Sequence, residues 1–393
     1  MARRIAGVWM RHVVLSSLAV LAFSARAVRA DVGSDEAAAI LVFPKIVVDT
    51  SATPQTWRGR IDTLVRISNT STQEVSVHCF WVNANGHCTN SPATICNSSL
   101  FGASSPCGAS GFCVQGWQET DFDINITARQ PIAWLASRGE SLCDPHDTSG
   151  DPCLPLGDAH PGPGGQDNKG SRILGVSEDP FIGELKCIEV DKNGVPVALN
   201  DLKGEAEFVH SNPDDLDVDG YNAIGIPAGP GPNNADNTLV LGGPGAEYSS
   251  CPNILILDHF FDGANDPISH DEVTTELTLV PCSEDFLHQA PITTPVQFLV
   301  FNEFEQRFST SRRVTCFDNI KISNIETRSA DRSIFSAAVS GTLTGQTRIR
   351  GVGDHNTLLG VAEEFRDGGG SAAFNVHFNG TRPTSDFIYL PPN

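Results

Sequence analysis

Apolar and polar residues alternate with a period of two wherever this chain shows a pattern. The runs Ile61-Asp62-Thr63-Leu64-Val65-Arg66-Ile67-Ser68 and Glu74-Val75-Ser76-Val77-His78-Cys79-Phe80-Trp81 predict half-buried strands. The connectors Asn69-Thr70-Ser71-Thr72 and Asn83-Ala84-Asn85-Gly86 are rich in residues that tolerate left-handed backbone, so 61 to about 90 reads as a meander. The same style predicts strands over 122–128, 183–190, 239–241, 254–257, 274–280, 296–301, 333–343, 346–349 and 373–378. A helical period is confined to 357–366.

Strands at roughly ten-residue spacing with Gly/Pro turns predict an all-β protein made of β-sandwiches. Between 141 and 175 the composition shifts to Asp, Pro, Gly and His, with Pro161-Gly162-Pro163-Gly164-Gly165 at its centre, which marks a linker or long surface loop. The expected organisation is therefore a Cys/Trp-rich sandwich over 31–140, the linker over 141–175, and a second β-rich domain over 176–393. The hairpin Ile61-Asp62-Thr63-Leu64-Val65-Arg66-Ile67-Ser68-Asn69-Thr70-Ser71 with Val75-Ser76-Val77 resembles the first hairpin of secreted bacterial proteins with an N-terminal immunoglobulin-like β-sandwich. The resemblance covers about 30 residues and implies an immunoglobulin-like fold, but no reaction, and the Cys-rich continuation after Cys79 departs from it. With the strand spacing and the cysteines, the expected architecture is two β-sandwich-like (immunoglobulin-like) parts with long disulfide-stapled loops.

Residues 1–30 carry Arg3, Arg4 and Arg11, an apolar stretch from Val13 to Phe23, and small residues ending in Val28-Arg29-Ala30. That is the layout of a secretory signal peptide, so the chain is expected to be exported, to the periplasm or the cell exterior. Its apolar run is shorter than a bilayer span, and no membrane insertion is expected. Charge sharpens the picture. With 26 Lys+Arg against 47 Asp+Glu the chain carries −21, and cleavage would remove five arginines and no acid. Such a molecule repels phosphate backbones, so nucleic acid is excluded as a default partner and a protein or glycan at the cell exterior is expected instead. Both methionines lie in the expected leader, and no C-x-x-C-H run or phosphate-cradling Gly-Lys loop occurs, so neither haem nor nucleotide is expected.

Eleven cysteines in an exported chain read as disulfides, and the odd count leaves one thiol over. Proximity in sequence pairs Cys143 with Cys153, Cys187 with Cys251 and Cys282 with Cys316, while Cys88, Cys96, Cys107 and Cys113 staple a loop too polar to build a core. Two metal readings compete with ordinary structure. Asp215, Asp217 and Asp219, followed by Gly220, match the first half of an oxygen-ligand calcium loop, although Ile226 stands where an EF-hand needs an acid; the alternative is a solvated acidic turn. His78-Cys79 and His87-Cys88 flank a predicted turn and could form a tetrahedral zinc site if their thiols were reduced.

Catalytic readings rest on residue pairs. Glu303 and Glu305 would project from one strand face roughly 6.5–7 Å apart, with Phe304 packing inward, a separation suited to glycoside hydrolysis. Asp258-His259, near Asp262, Asp266, His270, Asp271 and Glu272, could orient an imidazole as a general base or ligate a metal, or be an ordinary polar loop. Trp57, Trp81, Trp117 and Trp134 could stack on sugars or simply fill a core. The leading expectation is a non-catalytic binding or structural module, calcium-stabilised. The alternatives are a secreted polysaccharide hydrolase and a periplasmic metal-handling protein.

Overall fold

A computed structural model describes residues 32–51, 59–96, 106–108, 110–114, 116–139, 173–212, 215–229, 233–234, 236–326, 330–353 and 357–392. The expected signal peptide, Trp57 and the expected Cys143–Cys153 pair lie outside these residues. The first strands are β1 (Ile40–Val48), β2 (Ile61–Asn69), β3 (Val75–Asn83), β4 (His87–Cys88), β5 (Ser91–Ile95), β6 (Cys113–Val114), β7 (Gln118–Ile126) and β8 (Pro131–Leu135). After residue 173 follow β9 (Phe181–Val190), β10 (Leu202–Asn212), β11 (Asp215–Asn222) and β12 (Ile224–Ile226).

These segments build two antiparallel sheets: sheet I in the order β12-β1-β9-β3-β7 and sheet II in the order β11-β10-β2-β8. Sheet II packs on sheet I where β1 meets β2 and β10. A Cβ at Gly204 of β10 would come within 2.6 Å of the Phe43 ring and 3.1 Å of Leu41, so glycine permits the close approach. Every residue of β1 and β9 is buried; β1 accordingly reads as an apolar run broken only by Pro44 and Lys45, whereas β9 also buries Glu184, Lys186 and Glu189.

Strands from beyond residue 173 thus complete sheets begun before residue 84. β9 lies between β1 and β3, and β10 pairs with β2, so the first sandwich runs from 32 to about 226, across the segment where composition places a boundary. One hydrophobic cluster extends from Val32 to Leu390. Composition reports local solubility, whereas this pairing joins segments far apart in sequence.

The later strands are β13 (Thr238–Leu241), β14 (Pro252–Phe260), β15 (Ala264–Asn265), β16 (Glu272–Pro281), β17 (Glu284–Asp285), β18 (Thr293–Asn302), β19 (Arg307–Thr315) and β20 (Asp318–Lys321). A one-turn helix, α1 (Ala337–Ser340), precedes β21 (Thr344–Gly351), β22 (Leu358–Arg366), β23 (Ser371–Asn375), β24 (His377–Thr381) and β25 (Asp386–Tyr389). Sheet III runs β19-β18-β21-β14-β24, and sheet IV runs β15-β16-β22-β23 with β20 beside β16. Small sheets form from β13-β25-β17 and β5-β4-β6.

Sheet IV has a core on each face. Leu277, Leu279, Leu358 and Ala362 join a cluster with Val296, Phe298 and Ile349 of sheet III, while Val280, Leu359 and Val361 join the cluster of the first sandwich. Burial on both faces erases the period-two signature of β22, and 358–366 is a strand where the sequence predicts a helix. Conversely, 333–343 is not a strand. Ser336 caps α1 by accepting from the Ala338 N–H, and Gly341 ends it at φ 74°.

The disulfides also differ from sequence proximity. Cys79–Cys187 joins directly opposed positions of β3 and β9 within one sheet, Cys251 pairs with Cys282, and Cys88–Cys107 and Cys96–Cys113 staple the β4–β6 region as expected. Cys316 is a buried free thiol. Burial raises its pKa, with the Glu284 carboxylate adding to the shift. Among the described residues, no helix is long and apolar enough to cross a membrane.

Candidate functional site

Alternation along sheet III sorts its residues onto two faces. In β18 the even positions Val296, Phe298 and Val300 are buried and the odd positions Gln297, Leu299 and Phe301 face out. Directly opposed residues of an antiparallel pair share a face. Arg307 opposes Phe301, Arg348 opposes Leu299, Arg350 opposes Gln297 and Arg313 opposes Pro295, so four exposed arginines stand on the outer face. The Arg348 guanidinium lies over the Phe301 ring, 5.7 Å from its centroid.

Ser309, Ser311, Gln346 and Asn379 intersperse these cations, and Ile256, Leu299 and Phe301 form a half-buried apolar stripe between them. Among the described strand positions of this face the carboxylate is Asp258, which accepts from Gln346 Nε2 at 3.0 Å and lies 4.0 Å from His377. Sheet III therefore presents net positive charge in a chain whose formal charge is −21. Arg312 points the other way and pairs with Asp318.

A recess of about 490 Å³ opens at one end of this face, lined by Asp258, Phe260, Phe301, Glu303, Gln346 and Glu364 among others. Glu303 accepts from the Thr344 N–H at 2.9 Å and the Thr344 hydroxyl at 2.8 Å, and these bonds hold its carboxyl below the ordinary range. Burial pushes Glu364 the other way, raising its pKa against a hydrogen bond from the Phe260 N–H.

The sequence candidates fare differently. Glu303 and Glu305 do not share a strand face: β18 ends at Asn302, and the turn puts Glu305 at φ 61° and leaves Phe304 71% exposed rather than packed inward. Asn302 organises that turn by accepting from the Phe304 and Gln306 N–H groups. His259 is a core histidine. Its ring nitrogens meet Thr347 Oγ1 and the Phe260 carbonyl, and burial lowers its pKa to about 4, while Asp258 points to the opposite face. Asp262 accepts from the Thr275 and Ser323 N–H groups, and Asp266 from those of Ile268 and Ser269, so both organise loops.

The His-Cys pairs do not assemble. Cys79 and Cys88 are oxidised with Cys187 and Cys107, which removes both thiolates a zinc ion would need. His78 meets Asp123 at 2.7 Å, and His87 meets Glu178 at 3.2 Å. Trp81 and Trp134 are buried, and Trp117 is half-buried with its N–H directed to Glu284, so these three form no stacking platform. Asp215, Asp217 and Asp219 lie on strand β11 rather than in a loop. An extended strand spaces alternate residues by about 6.5–7 Å, unlike the tight turn of an oxygen-ligand calcium loop. Asp217 instead accepts from the Ser371 N–H and hydroxyl.

The arginine face was missed because its members are scattered through 307–350 and become neighbours only through strand register. No family model matches the chain, and no curated protein matches it.

Proposed function

We propose that this is an exported, disulfide-stabilised, non-catalytic binding protein, and that the outer face of sheet III holds its ligand, an acidic polysaccharide. The observation that carries this reading is the segregation of Arg307, Arg313, Arg348 and Arg350 onto one flat, exposed sheet face of an otherwise acidic molecule. Guanidinium forks match carboxylate and sulfate groups bidentately. The interleaved Ser, Gln and Asn side chains suit hydroxyls, and the Phe301 stripe suits the apolar faces of sugar rings.

The protein should bind polygalacturonate and not dextran, with affinity falling as salt rises. Replacing Arg348 and Arg350 together by serine should weaken that binding about tenfold or more, equivalent to about 1.4 kcal/mol. Equal binding of the neutral polymer, or an undiminished double variant, would overturn the assignment.

The recess favours a second reading, a polysaccharide hydrolase. There a carboxyl with raised pKa (Glu364) and one with lowered pKa (Glu303) line the same cavity, the pattern of an acid and its partner carboxylate. Release of reducing ends by the wild type, abolished by Glu303→Gln and by Glu364→Gln, would favour this reading over the first.

A further inference from the structure

We infer that the protein carries a buried site for one first-row divalent metal ion, formed by His210 of β10, Asp219 of β11 and Glu363 of β22. The three groups come from two sheets, and one ligand atom of each lies within 4.8 Å of the others. His210 Nε2 is 3.7 Å from Asp219 Oδ1 and 3.9 Å from Glu363 Oε1. An ion at the centre of that triangle would sit about 2.2–2.5 Å from each atom, close to the range for zinc bound by imidazole and carboxylate.

Satisfaction of buried polar groups is the second, independent observation. The Asp219 side chain is 5% exposed and that of His210 is 10% exposed. Among the described residues, neither Asp219 oxygen and not His210 Nε2 has a hydrogen-bond partner. A native fold rarely leaves three such buried atoms without a hydrogen-bond partner. Glu363 directs Oε2 to Lys45 at 2.6 Å and brings Oε1 toward His210, the arrangement of a ligand oriented by an outer partner.

Charge agrees with geometry. Lys45 is shared between Glu363 and Glu276, so with Asp219 this one lysine is set against three carboxylates. A divalent ion cancels the remaining two negative charges, which burial makes costly to leave. The imidazole in the set selects against calcium, which takes oxygen ligands, and for zinc or a neighbouring first-row ion. The ion would join sheet II to sheet IV, tying the first sandwich to the second.

The test is metal analysis of the full mature chain, purified without chelator and then, after stripping, titrated with zinc. We expect one ion per chain as purified or on titration, and an upward shift in melting temperature of roughly 5 °C or more on refilling. His210→Gln and Asp219→Asn should each abolish stoichiometric binding. If stripped wild-type protein neither binds zinc, manganese or iron(II) at one per chain nor gains melting temperature from them, the inference fails. The wild-type titration decides the question even if a ligand variant does not fold.

Discussion

Lys45, 1% exposed, donates to Glu276 and Glu363, while Lys186, fully buried, bridges Glu184 and Glu284. Each lysine ties a strand of sheet I to residues of a later strand, so these charges act as contacts between layers. For Lys186 burial opposes the charged form, and the Glu184 and Glu284 carboxylates outweigh it and raise the pKa. Among the described residues Glu189 has no such cation. Burial, reinforced by Asp201, raises its carboxyl to about 8 against an ordinary 4.5. The folded state then holds this proton more tightly than the unfolded chain does. Its contribution therefore favours folding at low pH and is lost as pH rises from about 4.5 through about 8. Glu189→Gln should remove that slope and stabilise the protein at pH 8.5 by about 1–3 kcal/mol, read from urea unfolding at pH 5.5 and pH 8.5. An identical pH slope in the variant would refute the assignment. At this scale sequence was a poor guide: nothing in Asp-Leu-Asp-Val-Asp-Gly distinguishes a calcium loop from a strand whose last acid turns inward toward His210.

Individual elements show where period-two reading succeeds and where it stops. β2, β3, β7 and β18 alternate and are recognisable in sequence, because one face of each packs and the other is at least partly wet. β1 and β22 were overlooked or misassigned because they are buried on both faces. The expectation of all-β architecture holds throughout, including a cysteine-stapled segment around β4–β6. There Cys88, Cys96 and Cys107 form a small cluster of their own, separate from both large cores. Replacing the four cysteines of Cys88–Cys107 and Cys96–Cys113 by serine should accordingly open 84–117 to protease while leaving the main unfolding transition nearly unchanged. Removing Cys79–Cys187, which closes a loop of 108 residues inside sheet I, should instead cost about 2–5 kcal/mol of global stability. Limited proteolysis with mass mapping, alongside denaturant unfolding, separates the two outcomes.

Over the whole molecule, sheet IV supplies one wall of each hydrophobic core, so the sandwiches are not independent bodies joined by a tether. Leu277→Ala, on the sheet III side, and Val361→Ala, on the other, should each lower a single shared unfolding transition by about 1–4 kcal/mol in stability. Two transitions that respond to one substitution each would show instead that the cores melt separately. The Asp/Pro/Gly-rich stretch at 141–175 could not have revealed this arrangement, because Pro and Gly content describes the local chain and not which distant strands meet.

The order of strands in sheet I also governs time. Among the described residues β1 is the first strand synthesised, yet its two neighbours are β9 and β12, the latter ending at Ile226. A nascent chain therefore carries nine apolar-rich residues whose first partner strand, β9, is complete only at Val190, close to half of the chain, and whose second, β12, follows at Ile226. Contacts of such long sequence separation place the molecule among slow folders, whose early segments stay open to capture by chaperones or to self-association. Under the proposed export, that same delay would keep the chain threadable until its first strand can be matched.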